Sequence, residues 1–170
     1  MIRYQYKNAR LLFIGINPHH GSFRRGVPFS NNKLFWYLLS RSGIIAENET
    51  DLRDEIKLKQ IYIKKFNKVY KIGFVNIIDR PTRDITELEK DEEIPGRKRI
   101  YNIIRLYRPV VACFIGKIAY QKFLGSKEVL FGWQNDIQKS KVFVMHFPLR
   151  GKPAVRIREL KMIAQAAKMD

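Results

Sequence analysis

The sequence predicts an α/β fold: a three-layer α/β/α sandwich around a central, mainly parallel four-stranded sheet. Four short runs rich in Val, Ile and Phe have the pattern of strands buried on both faces. Segments with helical periodicity alternate with these runs, as is typical of right-handed β–α–β crossovers. A chain of 170 residues is long enough to bury a substantial core without outside support. We therefore expect residues 1–170 to form a single domain.

The predicted elements alternate along the chain. Strands are expected at residues 10–17, 72–78, 110–117 and 141–147. Helices are expected at residues 32–42, 51–66, 100–107 and 155–167. In the first and last of these helices apolar side chains recur at intervals of three and four residues, so that each helix has one apolar face. Gly43 follows the first helix and supplies its stop signal.

The chain is strongly basic, with 33 Lys and Arg against 16 Asp and Glu and a formal net charge of +17. A positive field attracts polyanions, so nucleic acid is the first partner to consider and an anionic membrane surface the second. A hydrophobic content of 45% excludes a disordered basic tail. Residues 57–71 interleave lysines with aromatic side chains. This stretch is either a solvated helix face or a surface that contacts phosphates.

Several classes of protein are disfavoured. The single cysteine, Cys113, lies in an apolar run and cannot form an internal disulfide or hold an iron–sulfur cluster. His19 and His20 are adjacent, and with His146 they show no spacing typical of metal ligands. No apolar stretch approaches the roughly 20 residues of a membrane span, and the amino terminus lacks the core of a signal peptide. We expect an intracellular protein, cytoplasmic and nucleoid-associated in a prokaryote or nuclear in a eukaryote.

Three polar segments follow predicted strands, at the edge where open α/β sheets bind ligands. The sequence GINPHHGS at residues 15–22 follows the first strand, DRPT at 79–82 follows the second, and HFPLRGK at 146–152 follows the last. None contains GxGxxG or GxxxxGK[ST], so an enzyme acting on nucleotides is disfavoured.

The segment GINPHHGSFRRGVPF, followed by NKLFWYLLSRSG, resembles the motif region of the mismatch-specific uracil/thymine-DNA glycosylases, a branch of the uracil-DNA glycosylase superfamily. DRPT, GRK at residues 96–98 and GKxAY at 116–120 are similar to further family stretches in the same order. The resemblance covers about residues 11–43 and 74–123. The chain departs from the family at His19, where the family has glycine, and at HFPLRGKP, where the family has NPSGLS or HPSPLS.

The resemblance implies a monofunctional glycosylase that acts on double-stranded DNA. Such an enzyme flips uracil, or thymine or another damaged base, out of a mismatch with guanine and hydrolyses its N-glycosidic bond, leaving an abasic site. It requires no cofactor and no metal, and we expect a monomer. The alternative is a non-catalytic nucleic-acid-binding protein on the same fold, which the altered last motif favours.

The resemblance also implies roles for residues after the first strand. Asn17 would hold the attacking water, because a neutral carboxamide orients water without adding charge beside a developing cation. Phe29 would stack on the flipped base. Backbone N–H groups of Ile16 and Phe29 would bind the base carbonyls, and Ser22 would lie near the C5 edge of the base.

The segment after the last strand supplies the remaining candidates. His146 would stabilise the leaving base. Leu149 and Arg150 would form the wedge, the first filling the vacated stack and the second pairing with the orphaned base or a phosphate. Lys152 would contact the DNA backbone.

Overall fold

The computed structural model describes residues 1–169, which contain one five-stranded sheet between two layers of helices. The strands are β1 (Leu11–Gly15), β2 (Ile72–Asn76), β3 (Val111–Ile115), β4 (Gly132–Ile137) and β5 (Ser140–Met145). The helices are α1 (His20–Arg25), α2 (Leu34–Arg41), α3 (Glu49–Arg53), α4 (Glu55–Ile61), α5 (Ile94–Tyr107), α6 (Lys117–Leu124) and α7 (Pro153–Ala166). A π-helix (Tyr62–Phe66) follows α4, and a 3-10 turn (Ile85–Glu87) follows β2.

The sheet confirms the predicted fold class. Its strand order is β2-β1-β3-β5-β4, and neighbouring strands among the first four are parallel. One strand was not predicted: β4 pairs antiparallel with β5 at the edge of the sheet. It contains Gln134, Asn135 and Asp136 in place of an apolar run, and its register is irregular between Gln134 and Ile137. Only one face of β4 is partly buried, so its sequence lacks the pattern of a strand covered on both faces.

The predicted helix at residues 51–66 is three shorter elements, α3, α4 and the π-helix. Asp54 causes the first break, because its backbone is extended and its side chain accepts hydrogen bonds from the N–H groups of Ile56 and Lys57. This is the behaviour of a helix N-cap. The predicted helix at 100–107 is the second half of α5. Helices α1 and α6 were not predicted, since both are short.

Two apolar clusters cover the two faces of the sheet. One lies between the sheet and helices α2, α3, α4 and α7, and the other lies between the sheet and helices α5 and α6. Every residue of β1, β2 and β3 is buried. Burial on both faces holds these strands in place. Because β1, β2, β3 and β5 run parallel, their carboxyl ends lie at the same edge of the sheet. Within residues 1–169, no helix is both long enough and apolar enough to cross a membrane.

Candidate active site

A cavity of about 510 Å³ opens at the carboxyl edge of the sheet. Its volume is in the range of pockets that hold small organic groups. The lining comes from the segments that follow β1, β2, β3 and β5, and it includes most of the residues singled out in the sequence: Ile16, Asn17, Ser22, Phe29, Leu149 and Arg150. The remaining two, His146 and Lys152, lie outside the lining.

The carboxamide of Asn17 is held by its nitrogen. Nδ2 donates to Thr82 Oγ1 at 2.8 Å and to the carbonyl oxygen of Arg80 at 3.1 Å. No donor among residues 1–169 is bonded to Oδ1 of Asn17. The amide is therefore fixed with its acceptor atom free, at the edge of a cavity.

The loops after β1 and β2 support this arrangement by binding to each other. The Thr82 N–H donates to the Pro18 carbonyl at 3.1 Å, and Thr82 forms a parallel bridge with His19. Arg80 is clamped by two hydrogen bonds to Glu92, at 2.7 and 2.8 Å. The Arg80 guanidinium lowers the pKa of Glu92 from its ordinary 4.5 to about 2. The clamp keeps the Arg80 carbonyl in place to accept from Asn17.

Phe29 lies on the cavity wall in a strained conformation. Its φ is 51°, in the left-handed region that an aromatic residue seldom occupies. The ring is wedged among Phe35, Phe74 and Phe147, with centroid distances of 5.2, 5.5 and 6.0 Å. Strain of this kind concentrates at functional sites, where the surrounding packing over-determines the conformation.

Asn76 is a candidate that the sequence reasoning missed. Its side chain lines the cavity and is 2% exposed. Nδ2 donates to Tyr4 Oη at 2.8 Å, whereas Oδ1 is buried without a partner among residues 1–169. An unpaired buried carbonyl oxygen costs free energy, about 1–3 kcal/mol, so its retention beside a cavity points to a ligand. The signal in the sequence is a polar residue that ends the apolar strand IGFVN.

Gly15 leaves room for this amide. A Cβ at Gly15 would lie 2.4 Å from Oδ1 of Asn76 and 3.2 Å from the ring of Phe29. Distances this short would displace both groups, so this part of the cavity wall requires glycine.

Further hydrogen-bonding groups lie near Phe29. The hydroxyl oxygen of Ser22 accepts from the N–H groups of Ser30 at 3.0 Å and Asn31 at 2.9 Å, which fixes the chain just beyond Phe29. The N–H groups of Ile16 and Phe29 donate to no other group within residues 1–169. Two backbone donors near the cavity are thus free for a ligand.

His146 is bound to Glu159 of α7 and lies behind the cavity wall. Its Nδ1 is 2.6 Å from Oε1 of Glu159, and its N–H donates to Oε2 of the same carboxylate at 3.0 Å. The ring stacks on Phe131 with centroids 3.6 Å apart. Phe131, not His146, lines the cavity.

The segment after His146 forms part of the rim. Leu149 is 42% exposed, and Arg150 is also exposed. Buried Arg156 of α7 donates to the carbonyls of Phe147 at 3.1 Å and Lys152 at 3.3 Å. Arg156 and Glu159 therefore anchor both ends of the segment at residues 146–152.

A smaller hollow of about 350 Å³ adjoins the cavity and is lined by basic side chains: His19, His20, Arg24 and Arg83. His19 and Arg83 line both spaces. The Gly21 N–H donates to His19 Nδ1 at 3.0 Å, so His19 caps α1. This hollow has the composition of an anion site. Over residues 1–169, no three His, Cys, Asp or Glu side chains are grouped to hold a metal ion.

The sequence model of the uracil DNA glycosylase superfamily matches residues 2–156. The matched region contains the whole sheet and the three segments that form the cavity rim after β1, β2 and β5. Because the match covers far more than half of the chain, the protein belongs to the uracil DNA glycosylase superfamily, and membership implies a DNA glycosylase that acts on DNA in repair.

Proposed function

We propose that the protein removes uracil, and also thymine or another damaged base, from mismatches with guanine in double-stranded DNA. The reaction is hydrolysis of the N-glycosidic bond, and its product is an abasic site. The observation that carries this proposal is the carboxamide of Asn17, whose nitrogen is fixed by Thr82 and Arg80 and whose oxygen is free at the cavity.

The target nucleotide must first leave the helix stack. Unstacking costs a few kcal/mol and costs least at a mispaired base, which favours mismatches. In the cavity the ring of Phe29 stacks on the base, an interaction worth about 1–3 kcal/mol. Asn76 Oδ1, which has no partner in the described part of the chain, accepts the N3–H of uracil or thymine. Cytosine has no N3–H to donate and is rejected at this atom.

Asn17 then places the attacking water. Its Oδ1 accepts a hydrogen bond from water and directs the water oxygen toward C1′ of the sugar. As the C1′–N1 bond breaks, the electron pair leaves with the base and the sugar becomes an oxocarbenium-like cation. Water adds to C1′ and loses a proton to solvent. The neutral amide assists mainly by positioning, since it is a weak base.

The departing base carries negative charge until it is protonated. We assign its stabilisation to the free N–H groups of Ile16 and Phe29, because preorganised donors in a site shielded from water stabilise developing charge. His146 does not line the cavity. We therefore give His146 the task of holding the segment at 146–152 in place. Ser22 fixes the chain around Phe29 and borders the C5 side of the base.

DNA is held at the rim of the cavity. Leu149 fills the gap left by the flipped base, and Arg150 pairs with the orphaned guanine or with a phosphate. Lys152 binds the DNA backbone. The hollow formed by His19, His20, Arg24 and Arg83 receives a phosphate next to the flipped nucleotide. One protein molecule supplies every group in this mechanism, so we propose that a monomer is active.

The proposal is tested by incubating the protein with duplexes containing G:U, G:T and A:U pairs and with single-stranded uracil DNA. Abasic sites are then cleaved with alkali, and an undamaged G:C duplex is the control. We expect cleavage at uracil, fastest in the G:U duplex, and none in the control. If neither these substrates nor hypoxanthine or alkylated bases yield abasic product, the protein is a non-catalytic nucleic-acid-binding protein on this fold.

A further inference from the structure

A second basic surface lies at the amino ends of the parallel strands, opposite the cavity. We call it the rear edge and define it by five residues: Arg10, Lys71, Arg108, Lys141 and Lys168. All are exposed except Arg10, which is half-buried. These residues come from the turns before β2 and β3, the starts of β1 and β5, and the end of α7.

Hydrogen bonds place Arg10, Lys71 and Lys141 side by side, and Arg108 lies two residues before Val110. The Arg10 N–H donates to the Lys71 carbonyl at 2.7 Å, and the Arg10 carbonyl accepts from Val111 at 3.0 Å. The Lys141 N–H donates to the Val110 carbonyl at 3.0 Å. Neighbouring strands are about 4.8 Å apart, so the basic residues form a row across the four parallel strands.

Two further observations concern the end of this row and its charge. Arg10 Nε donates to the Ala167 carbonyl at 2.9 Å, which joins Lys168 to the row. Within residues 1–169, none of the five forms an ion pair, as is true of most Lys and Arg residues of the chain. The charge of the rear edge is therefore not neutralised by carboxylates in the described part of the chain.

Three residues of the row have strained backbones. The φ angles of Lys71, Arg108 and Lys168 are 56°, 47° and 52°, in the left-handed region that favours glycine. Each is thus a cation where glycine would relieve strain. Arg108 and Lys168 lie at the carboxyl ends of α5 and α7, where the helix dipole also favours a cation, and all three residues carry positive charge.

We propose that the rear edge binds the phosphates of a second segment of duplex DNA while the cavity edge holds the first. DNA fits because this superfamily acts on DNA and because a row of cations without carboxylate partners in residues 1–169 binds any backbone of phosphates. The inference rests on family membership and does not depend on which base is removed.

The two surfaces require separate duplex segments. The strands between them are five or six residues long, about 16–20 Å. Duplex DNA has a persistence length of about 150 base pairs, so one short duplex cannot bend around the sheet to reach both edges. A protein with both surfaces occupied bridges two duplexes and can pass from one to the other without entering free solution.

The test uses the triple variant K71G/R108G/K168G. Glycine accepts the left-handed conformation, so this variant should fold with an equal or higher Tm. The matched control, K90Q/K127Q/K161Q, removes three exposed lysines that belong neither to the rear edge nor to the cavity. Bridging is measured as energy transfer between two short G:C duplexes, one with a donor dye and one with an acceptor.

We expect the wild type and the control to bridge the duplexes and the triple variant to lose most of the signal. Each phosphate contact contributes about −0.9 to the slope of log affinity against log salt, so the slope for the second duplex should fall by roughly three. Excision from a single G:U duplex should change less than twofold. If the wild type excises no base but still bridges two duplexes, the proposed function is wrong and the inference about the rear edge is supported.

The inference would be overturned by undiminished bridging in the triple variant, by an equal loss of bridging in the control, or by saturation of the wild type at one duplex per protein. Binding to vesicles that contain phosphatidylserine tests an anionic membrane as the alternative partner of the rear edge. If the wild type binds vesicles through the rear edge but never bridges DNA, the partner is a membrane and the inference is wrong.

Discussion

Asn17 and Thr82 illustrate how the site is built from single hydrogen bonds. Thr82 is buried, and its hydroxyl oxygen accepts from Asn17 Nδ2 at 2.8 Å. Its own N–H donates to Pro18, the residue after Asn17. Thr82 thus orients the amide and fixes the backbone beside it. We regard it as a positioning residue.

Replacing Thr82 with alanine should slow single-turnover excision about five- to tenfold, because one net hydrogen bond is worth about 1 kcal/mol. DNA affinity should stay unchanged, since Thr82 would not touch the duplex. T82S should restore the rate, and the exposed T86A is the control. A T82A variant that excises at the wild-type rate would show that Thr82 does not orient Asn17.

His19 caps α1, and we propose that it also binds a DNA phosphate. Because Nδ1 accepts from Gly21, the ring proton resides on Nε2, which is free to donate to a phosphate in the basic hollow. H19N should keep the helix cap, because asparagine is a good N-cap. Its shorter side chain should not reach the phosphate that Nε2 of His19 would contact. We expect an unchanged Tm and weaker duplex binding with an unchanged salt slope, measured by titration at several salt concentrations.

The matched variant is R24Q, which removes a charge from the same hollow. It should lower the salt slope of duplex binding by about one. Unchanged affinity in both variants would contradict a phosphate in this hollow.

The sequence placed most candidate residues at one site because motif residues follow strands whose carboxyl ends converge. Asn17, Ser22 and Phe29 do line one cavity. His146 and Lys152 lie outside its lining, because α7 holds the segment that contains them in a conformation no local pattern encodes. Asn76 was missed because its unpaired oxygen is a property of tertiary packing.

At the scale of elements, helix α7 acts as an anchor for the segment at 146–152. Glu159 binds both the backbone N–H and the ring of His146, and Arg156 binds the carbonyls at positions 147 and 152. Both side chains are buried. Leu149 and Arg150 therefore project from a segment that is fixed at both ends.

Replacing Glu159 with glutamine should loosen this segment while leaving the cavity residues in place. We expect slower excision from G:U duplexes, by about tenfold, and an unchanged rate on single-stranded uracil DNA, where the proposed wedge would have no gap in a duplex to fill. The exposed E128Q is the control. Equal slowing on both substrates would show that Glu159 acts on the chemistry and not through the wedge.

Strands could be predicted where burial on both faces produces a continuous apolar run. The four parallel strands lie close to their predicted positions because both faces are covered. Strand β4 escaped prediction because it is an edge strand with polar residues. The break between α3 and α4 was missed because charged residues continue on both sides of Asp54, although Asp54 is a good capping residue.

At the scale of the whole molecule, Cys113 is a probe of global stability. It lies in β3 at the centre of the sheet and is fully buried, and burial raises the pKa of its thiol. A thiol reagent should therefore react with it only when the sheet unfolds. Native protein should label at least a hundredfold more slowly than protein in guanidinium chloride, and rapid labelling of native protein would contradict a sealed core.

The net charge of +17 and the cavity have different tasks in recognising DNA. Cations bind phosphates, which carry no sequence information, so they bring the protein to any duplex. In the proposed function, selection of the damaged base depends on the cavity around Asn17, Phe29 and Asn76. The net charge could be calculated from the composition, whereas the cavity could be identified only in the folded structure.

The most direct test of the central claim compares the wild type with N17A in single-turnover excision from a G:U duplex, with duplex affinity measured in parallel. We predict that N17A binds DNA within twofold of the wild type and releases uracil at least a hundredfold more slowly. An N17A variant that releases uracil at the wild-type rate would contradict the assignment of the attacking water to Asn17.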